Sequence, residues 1–230
     1  MKILAIGPHP DDIEFGCAPV LIKEARRGSS IKLLVLTRGE AGSNGTPEIR
    51  EAEARAAAKL IGGEIAFLDF GGDCHIEYRP ENAFAIAAEI RRERPDIVLA
   101  PNPVENQHPD HVAVGNLVRD ACRLARYGGL AELRGLAVHK IGSLLFYNIT
   151  VHMGVAPDIV VDVSDVAAEW EAAMRCHATQ VGGKSYLDLQ LTSARALGLA
   201  AGVGLAVGLF KNDPIRVSDL SAFSQSVREF

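Results

Sequence analysis

The segment Gly7–Gly16, GPHPDDIEFG, sets His9 among the carboxylates of Asp11, Asp12 and Glu14. Far downstream, Pro101–His111, PNPVENQHPDH, holds a second such group in His108, Asp110 and His111. Imidazole and carboxylate are the side chains that bind divalent cations and move protons near neutral pH. His9, Asp12 and His111 can supply two imidazoles and one carboxylate. Three protein ligands with an open fourth position make a catalytic zinc site, whereas a structural site is closed. Histidine nitrogen also suits Fe²⁺, Co²⁺ and Ni²⁺, so the residue types leave the metal open. Asp11 remains beside the ligands, able to take a proton from a water whose pKa a metal has lowered. His108, flanked by Asp110, can stay protonated and stabilise an oxyanion, or protonate a leaving amine.

Each of these residues also has a plainer use. Asp11 and Asp12 could cap the helix that follows, since acids favour a helix N-terminus. His108 and His111 could be loop residues with ordinary hydrogen bonds. Singly, the plain uses are the simpler ones. Two H-P-D triplets at corresponding places in the chain are harder to explain by capping. His75, His139, His152 and His177 fall in no comparable cluster and are expected on the surface or as satisfied core residues.

The elements around these triplets alternate. Ile3–Gly7, Ile31–Thr37, Glu64–Phe70 and Asp96–Pro101 read as strands without polar alternation. Between them lie helical patterns at Ile13–Arg27, at Pro47 onward to Gly62, at Glu81–Arg94 and at His111–Arg126. Thr46 is a plausible N-cap, with Pro47 at the first helical position and acids in the first turn. In the last third, SLLFYNI and DIVVDV read as strands, and AAEWEAAMRCHATQ as a helix after the N-cap candidate Ser164. The Gly- and Ala-rich stretch Ala196–Phe210 reads as a buried helix, short of the roughly 20 residues that span a membrane. The pattern predicts an α/β fold. It is a Rossmann-like three-layer αβα sandwich on a mostly parallel sheet of order 3-2-1-4-5, with a C-terminal extension. In that order the switch point lies between strands one and four, and ligands bind beyond the carboxyl ends of the strands. Topology alone then brings the two triplets to one crevice. A dinucleotide-binding loop would carry G-x-G-x-x-G after strand one. Here that loop carries carboxylates, which oppose a pyrophosphate and welcome a cation.

The totals fit one domain spanning residues 1–230. With 48% hydrophobic and 23% charged residues the chain is globular rather than disordered. A net charge of −5 and the lack of a large Lys/Arg cluster argue against nucleic acid as a partner. IRRERP, Ile90–Pro95, reads as the solvated end of a helix. No signal peptide or membrane span is evident. Cys17, Cys74, Cys122 and Cys176 are widely spaced, as reduced thiols of a cytoplasmic protein would be.

At these residues the sequence resembles the LmbE-like (PIG-L) family of zinc-dependent N-acetylglucosamine deacetylases. The matching segments are Pro8–Gly16, Leu36–Ala54, Arg94–His111 and Pro157–Val166. CHATQ at Cys176–Gln180 resembles the family's later histidine–Ser–Gln region, with Thr179 in place of Ser. The resemblance implies His9, Asp12 and His111 as metal ligands, with zinc the usual ion and Fe²⁺ or another divalent metal as alternatives. It implies Asp11 as general base, and His108 as the stabiliser of the tetrahedral intermediate, oriented by Asp110. Arg50 would contact substrate; its plain alternative is a surface helix residue paired with a nearby Glu. Tyr186 matches a family tyrosine that can close over the oxyanion. Two departures are Gly208, where the family often carries an acid, and Asp73-Cys74 in place of Asp-Gly. Neither is expected to touch the metal centre.

The implied activity is removal of the N-acetyl group from a GlcNAc-type sugar, with a small amino-sugar substrate and a homo-oligomer as further expectations. The Thr37–Arg50 block and the Pro157–Val166 strand resemble the bacillithiol-biosynthesis branch most, which acts on N-acetylglucosaminyl malate. Chitooligosaccharides, mycothiol precursors, phosphatidylinositol-linked GlcNAc and antibiotic intermediates are alternatives within the family. Outside them stand a sugar-binding protein without turnover, and a nucleotide-dependent enzyme that the missing glycine fingerprint disfavours.

Overall fold

The computed structural model describes residues 1–104, 108–149, 156–182 and 185–221; His152, one of the histidines considered above, lies outside them. Seven strands form one sheet: β1 (Lys2–Gly7), β2 (Ser30–Val35), β3 (Glu64–Phe67), β4 (Ile97–Pro101), β5 (Ser143–Tyr147), β6 (Ile159–Asp162) and β7 (Ala206–Lys211). Their order is β3-β2-β1-β4-β5-β7-β6, so the expected 3-2-1-4-5 core carries a two-strand extension. The first five strands run parallel, and β7 enters antiparallel between β5 and β6.

Parallel strands need crossovers, and helices supply them on both faces. They are α1 (Asp12–Gly16), α2 (Ala18–Arg26), α3 (Pro47–Ile61), α4 (Pro80–Glu93), α5 (Pro109–Leu124), α6 (Ala167–Arg175), α7 (Ala178–Val181) and α8 (Tyr186–Ala200). Alternation along β1 feeds two cores. Ile3 and Ala5 join Ile13, Leu21 and Trp170 on one face, while Leu4 and Ile6 join Ile86 and Leu117 on the other. Burial on both faces explains why these strands read as unbroken apolar runs. Thr46 caps α3, its hydroxyl accepting from the Ile49 amide.

Three expectations fail, wholly or in part. Residues 196–210 are not one helix: α8 stops at Ala200, the glycine-bearing turn 201–205 follows, and Ala206–Lys211 is strand β7. Small residues there reflect a strand and its turn closing the sheet edge. Gly208 lies within β7, where a Cβ would stand 2.7 Å from Pro157 Cβ. The helix expected at Ile13–Arg27 breaks at Cys17, and the one expected through Gln180 breaks at Cys176 and His177. Finally, IRRERP is only in part a solvated helix end: α4 ends here with Arg92 and Arg94 exposed, but Arg91 is not. Arg91 is buried and donates to the carbonyls of Leu124, Ala125, Tyr127, Leu133 and Leu136. Its planar fork ties α4 to the exposed carbonyls at the end of α5, a use Lys could not copy.

Candidate metal centre and catalytic cavity

β1 and β4 are neighbours, so their carboxyl ends open side by side. The Pro8–Asp11 loop leaves β1 and is pinned by Thr37, whose amide and hydroxyl both donate to the Pro8 carbonyl, at 3.0 and 2.9 Å. Asp11 then turns through φ +119° into α1. For a non-glycine residue this φ is strained, and Asp11 and Asp12 on either side of the turn into α1 both line the crevice. Arg50 of α3 braces the turn. Its guanidinium donates to the Pro10 carbonyl at 2.7 Å and the Gly39 carbonyl at 3.1 Å, and lies 3.3 Å from Asp11 Oδ2. Gly39, at φ +72°, makes room: a Cβ there would stand 1.9 Å from Arg50 Nη1.

The second triplet opens α5. His108 occupies the N-cap, and its Nδ1 accepts from the Asp110 amide at 3.2 Å. Asp110 and His111, in the first turn, point into the crevice and are buried. Asp12 then bridges the two segments. One carboxylate oxygen lies 3.0 Å from His9 Nδ1 and the other 3.1 Å from His111 Nε2. The capping alternative fails for Asp11, whose side chain makes no capping bond.

The bridge is also an electrostatic clue. Burial opposes charge on Asp12, but His111 and His9 outweigh it and hold its pKa well below the usual range. Burial likewise opposes charge on His9, yet Asp12, with Asp110 and Asp73, raises its pKa well above normal. Carboxylates therefore converge on His9 from three directions, at 2.9 Å from Asp110, 3.0 Å from Asp12 and 3.1 Å from Asp73. Imidazoles and carboxylates gathered at one buried spot are also a set that fits a divalent metal. His9, His108 and His111 also approach closely enough to share an ion, as do His9, Asp73, His108 and Asp110. His9 Nε2 is held by Asp110, the second-sphere contact that orients a metal-binding imidazole through its other nitrogen.

Other placements differ from expectation. Asp110 does not chiefly orient His108: its carboxylate serves His9 and the Cys74 amide, at 2.9 and 2.8 Å, and stands 3.9 Å from His108 Nδ1. Burial, then His9, lowers the His108 pKa. With Nδ1 accepting, a neutral His108 carries its proton on Nε2 and can donate from there. Asp73 and Cys74 do touch the centre. Asp73 Oδ1 is 3.1 Å from His9 Nε2 and 3.6 Å from His108 Nε2, and Cys74 Sγ is 3.5 Å from that same nitrogen. The signal was present: a carboxylate just after a Gly-Gly pair, beyond the carboxyl end of a parallel strand. Gly208 is away from the centre, as expected. Arg50 is not a surface residue paired with Glu; it is buried.

Asp11 carries the largest burden. Burial, and next the Asp12 charge, push its pKa up to about 7 against the pull of Arg50. Behind it, His177 and Glu14 are both buried. His177 Nε2 stands 3.4 Å from Glu14 Oε1, and among the described residues neither ring nitrogen makes a hydrogen bond. Burial opposes charge on His177, but Glu14 raises its pKa. His177, expected on the surface or as a satisfied core residue, is instead half of a buried pair behind the Pro8–Asp11 loop.

A cavity of about 300 Å³ gathers His9, Asp11, Asp12, Arg50, His108 and His111 in one wall. Asp73, Cys74, Gln180 and Tyr186 also line it. Tyr186 stands at the start of α8, with its ring 6.4 Å from Phe15.

Comparison with known proteins places the chain among similar sequences and folds. The family model described as GlcNAc-PI de-N-acetylase (PIG-L) matches residues 4–122. The chain is 34% identical over 193 residues to a diacetylchitobiose deacetylase of Thermococcus kodakarensis, covering 78% of this chain and 70% of that one. It is 23% identical over 193 residues to a 4-oxalmesaconate hydratase of Pseudomonas putida, covering 77% and 73%. The conserved protein TT1542 from Thermus thermophilus superposes with a TM-score of 0.85 at 32% identity, covering 94% and 96%.

Proposed function

The chain belongs to the PIG-L family, and from that premise we propose that it is a metal-dependent hydrolase removing the N-acetyl group of a GlcNAc-type sugar conjugate. The observation that carries the reading is the Asp12 carboxylate bridging His9 and His111, with Asp11 beside it. His9, Asp12 and His111 would hold a divalent ion; zinc is the ion the family resemblance implies, with Fe²⁺ or another divalent metal as the alternative. Such an ion supplies Lewis acidity at the amide carbonyl and makes nearby water more acidic.

The protein's own groups then divide the work. Asp11, with a pKa near neutrality, accepts a proton from the attacking water. Nε2–H of a neutral His108 donates to the oxygen that gains charge as the tetrahedral intermediate forms. Asp11 returns its proton to the sugar nitrogen as the C–N bond breaks, so acetate and a free amine leave. Arg50 holds the Asp11 turn and contributes to the cavity wall. Tyr186 lines the same cavity, where a family tyrosine would close over the oxyanion.

Two aglycones are weighed. Malate is supported by the resemblance of Thr37–Arg50 and Pro157–Val166 to the bacillithiol branch. A neutral sugar, as in a chitooligosaccharide, is supported by the similarity to the Thermococcus enzyme and by charge. Among the described residues, the cavity wall offers Arg50 as its lone Lys or Arg, engaged by carbonyls, against Asp11, Asp12 and Asp73. The adjoining hollow adds Glu40 and Asp69. Two malate carboxylates would meet like charge there, so the neutral aglycone is favoured.

Acetate release from diacetylchitobiose, N-acetylglucosaminyl malate and an inositol-linked GlcNAc, with metal analysis of the purified protein, tests the proposal. Release above the Asp11→Ala background supports it. No release from any member by the metal-replete protein overturns it, and hydration of an unsaturated oxo-acid instead would replace it.

A further inference from the structure

A second cavity, of about 600 Å³, opens at the other end of the sheet. It is lined by Gly142 and by Ser143, where β5 begins. β5 runs parallel to β4, from Ser143 beside Ile97 to Tyr147 beside Pro101. The cavity therefore lies at the amino ends of these strands, while the catalytic residues follow the carboxyl ends.

Its wall is cationic. Arg119 and Arg123 project from the last turns of α5, Arg126 follows the helix, Lys140 precedes β5 and Arg216 follows β7. Asp120 and Asp213 are the lining carboxylates, and both are engaged. Asp120 accepts from the Tyr78 hydroxyl, and Asp213 accepts from Asn212 Nδ2 at 2.8 Å. Among the described residues none of the five cations forms an ion pair, and Arg119 donates to Asn116 Oδ1 at 2.7 Å. A cation near the end of α5 is explained by the helix dipole. Lys140 and Arg216, brought from two other segments to face the same hollow, are not. In a chain of net charge −5 this is a concentration of positive charge against the overall balance.

We propose that this cavity binds a small molecule bearing phosphate, distinct from the amino-sugar substrate. Guanidinium forks match phosphate oxygens in pairs, and several converging on one hollow favour a compact polyanion over a lone chloride. The volume is in the range of small-ligand sites. The distance from the catalytic end makes the site regulatory or anchoring rather than catalytic.

The test is arginine labelling with phenylglyoxal on the metal-replete full chain, read by peptide mass mapping, with inorganic phosphate added at constant ionic strength. Saturable slowing of about fivefold or more is expected at Arg123 and Arg126 once phosphate exceeds its dissociation constant several-fold. Arg26 and Arg175, on the outer surface, label unchanged. Arg123→Gln combined with Lys140→Gln weakens the protection of Arg126 about tenfold and leaves acetate release unaltered. Equal labelling with and without phosphate overturns the proposal, as does uniform slowing at the control arginines. Protection that follows protein concentration rather than phosphate also overturns it, and assigns the hollow to an acidic face of a second copy.

Discussion

Arg50 Nη2 lies 2.7 Å from the carbonyl oxygen of Pro10 and 3.3 Å from Oδ2 of Asp11, so one buried guanidinium fixes both the backbone and the side chain of the catalytic turn. The turn is strained at Asp11, and this contact from α3 holds it in place.

Arg50→Lys should therefore be a severe change despite conserving charge. A single ammonium cannot reach the Gly39 and Pro10 carbonyls together, so Asp11 loses its orientation. We expect kcat to fall by about 10²-fold or more, with KM less affected, and stability to drop by about 1–3 kcal/mol as buried carbonyls lose their donor. Steady-state kinetics and denaturant melts check both; near-wild-type kcat would remove the bracing role.

Asp11 makes a prediction with a sign. Its folded pKa, about 7, exceeds the unfolded value near 3.9. The folded state therefore binds a proton that the unfolded state has released, and stability falls as pH rises from about 4 to about 7. In chelator-treated protein, Asp11→Asn should flatten this slope and be at least as stable as wild type at pH 7, while catalysis drops by about 10²–10⁴-fold. Parallel stability–pH curves for the two proteins would contradict the assignment.

The Glu14–His177 pair calls for a double-mutant cycle. His177→Leu leaves a buried carboxyl facing apolar surroundings and should cost about 3–5 kcal/mol. Glu14→Gln with His177→Leu should recover part of that loss, because no uncompensated charge remains. Additive losses in urea denaturation would show that the two residues act independently.

Thiol chemistry should sort by burial. Cys74 is exposed at the cavity mouth, whereas Cys17 and Cys122 are buried and burial pushes the Cys122 thiol up to about 12. Iodoacetamide should modify Cys74 well before those two in native protein, though slowly, since partial desolvation and Asp73 raise its pKa. A bulky adduct beside His108 should block acetate release. Modification of Cys74 with full activity retained would separate this thiol from the substrate path.

Much of this centre was legible before folding. The unbroken apolar runs of β1, β2 and β4 required a covered parallel sheet, and the sheet order placed the two H-P-D triplets together. His9, Asp12 and His111 meet because each sits at the end of a locally determined element. The helix expected at residues 196–210 shows the limit of such reading. A short apolar Gly/Ala-rich run is compatible with helix or buried strand, and only the open edge of β5 decided for β7.

The sequence by itself determined the types of the first strands and their helices, the switch point and the chemistry of the loops that border it, because these follow from local spacing and pattern. Tertiary structure decided which side chains face one another across segments. It moved Asp110 from His108 to His9, drew Asp73 and Cys74 into the centre, and buried Arg91 in a nest of carbonyls. It also set His177 against Glu14 and converged five cations on the far end of the sheet. No local pattern encodes such meetings. They follow from how crossovers stack on the sheet, and burial then sets how strongly each encounter is felt.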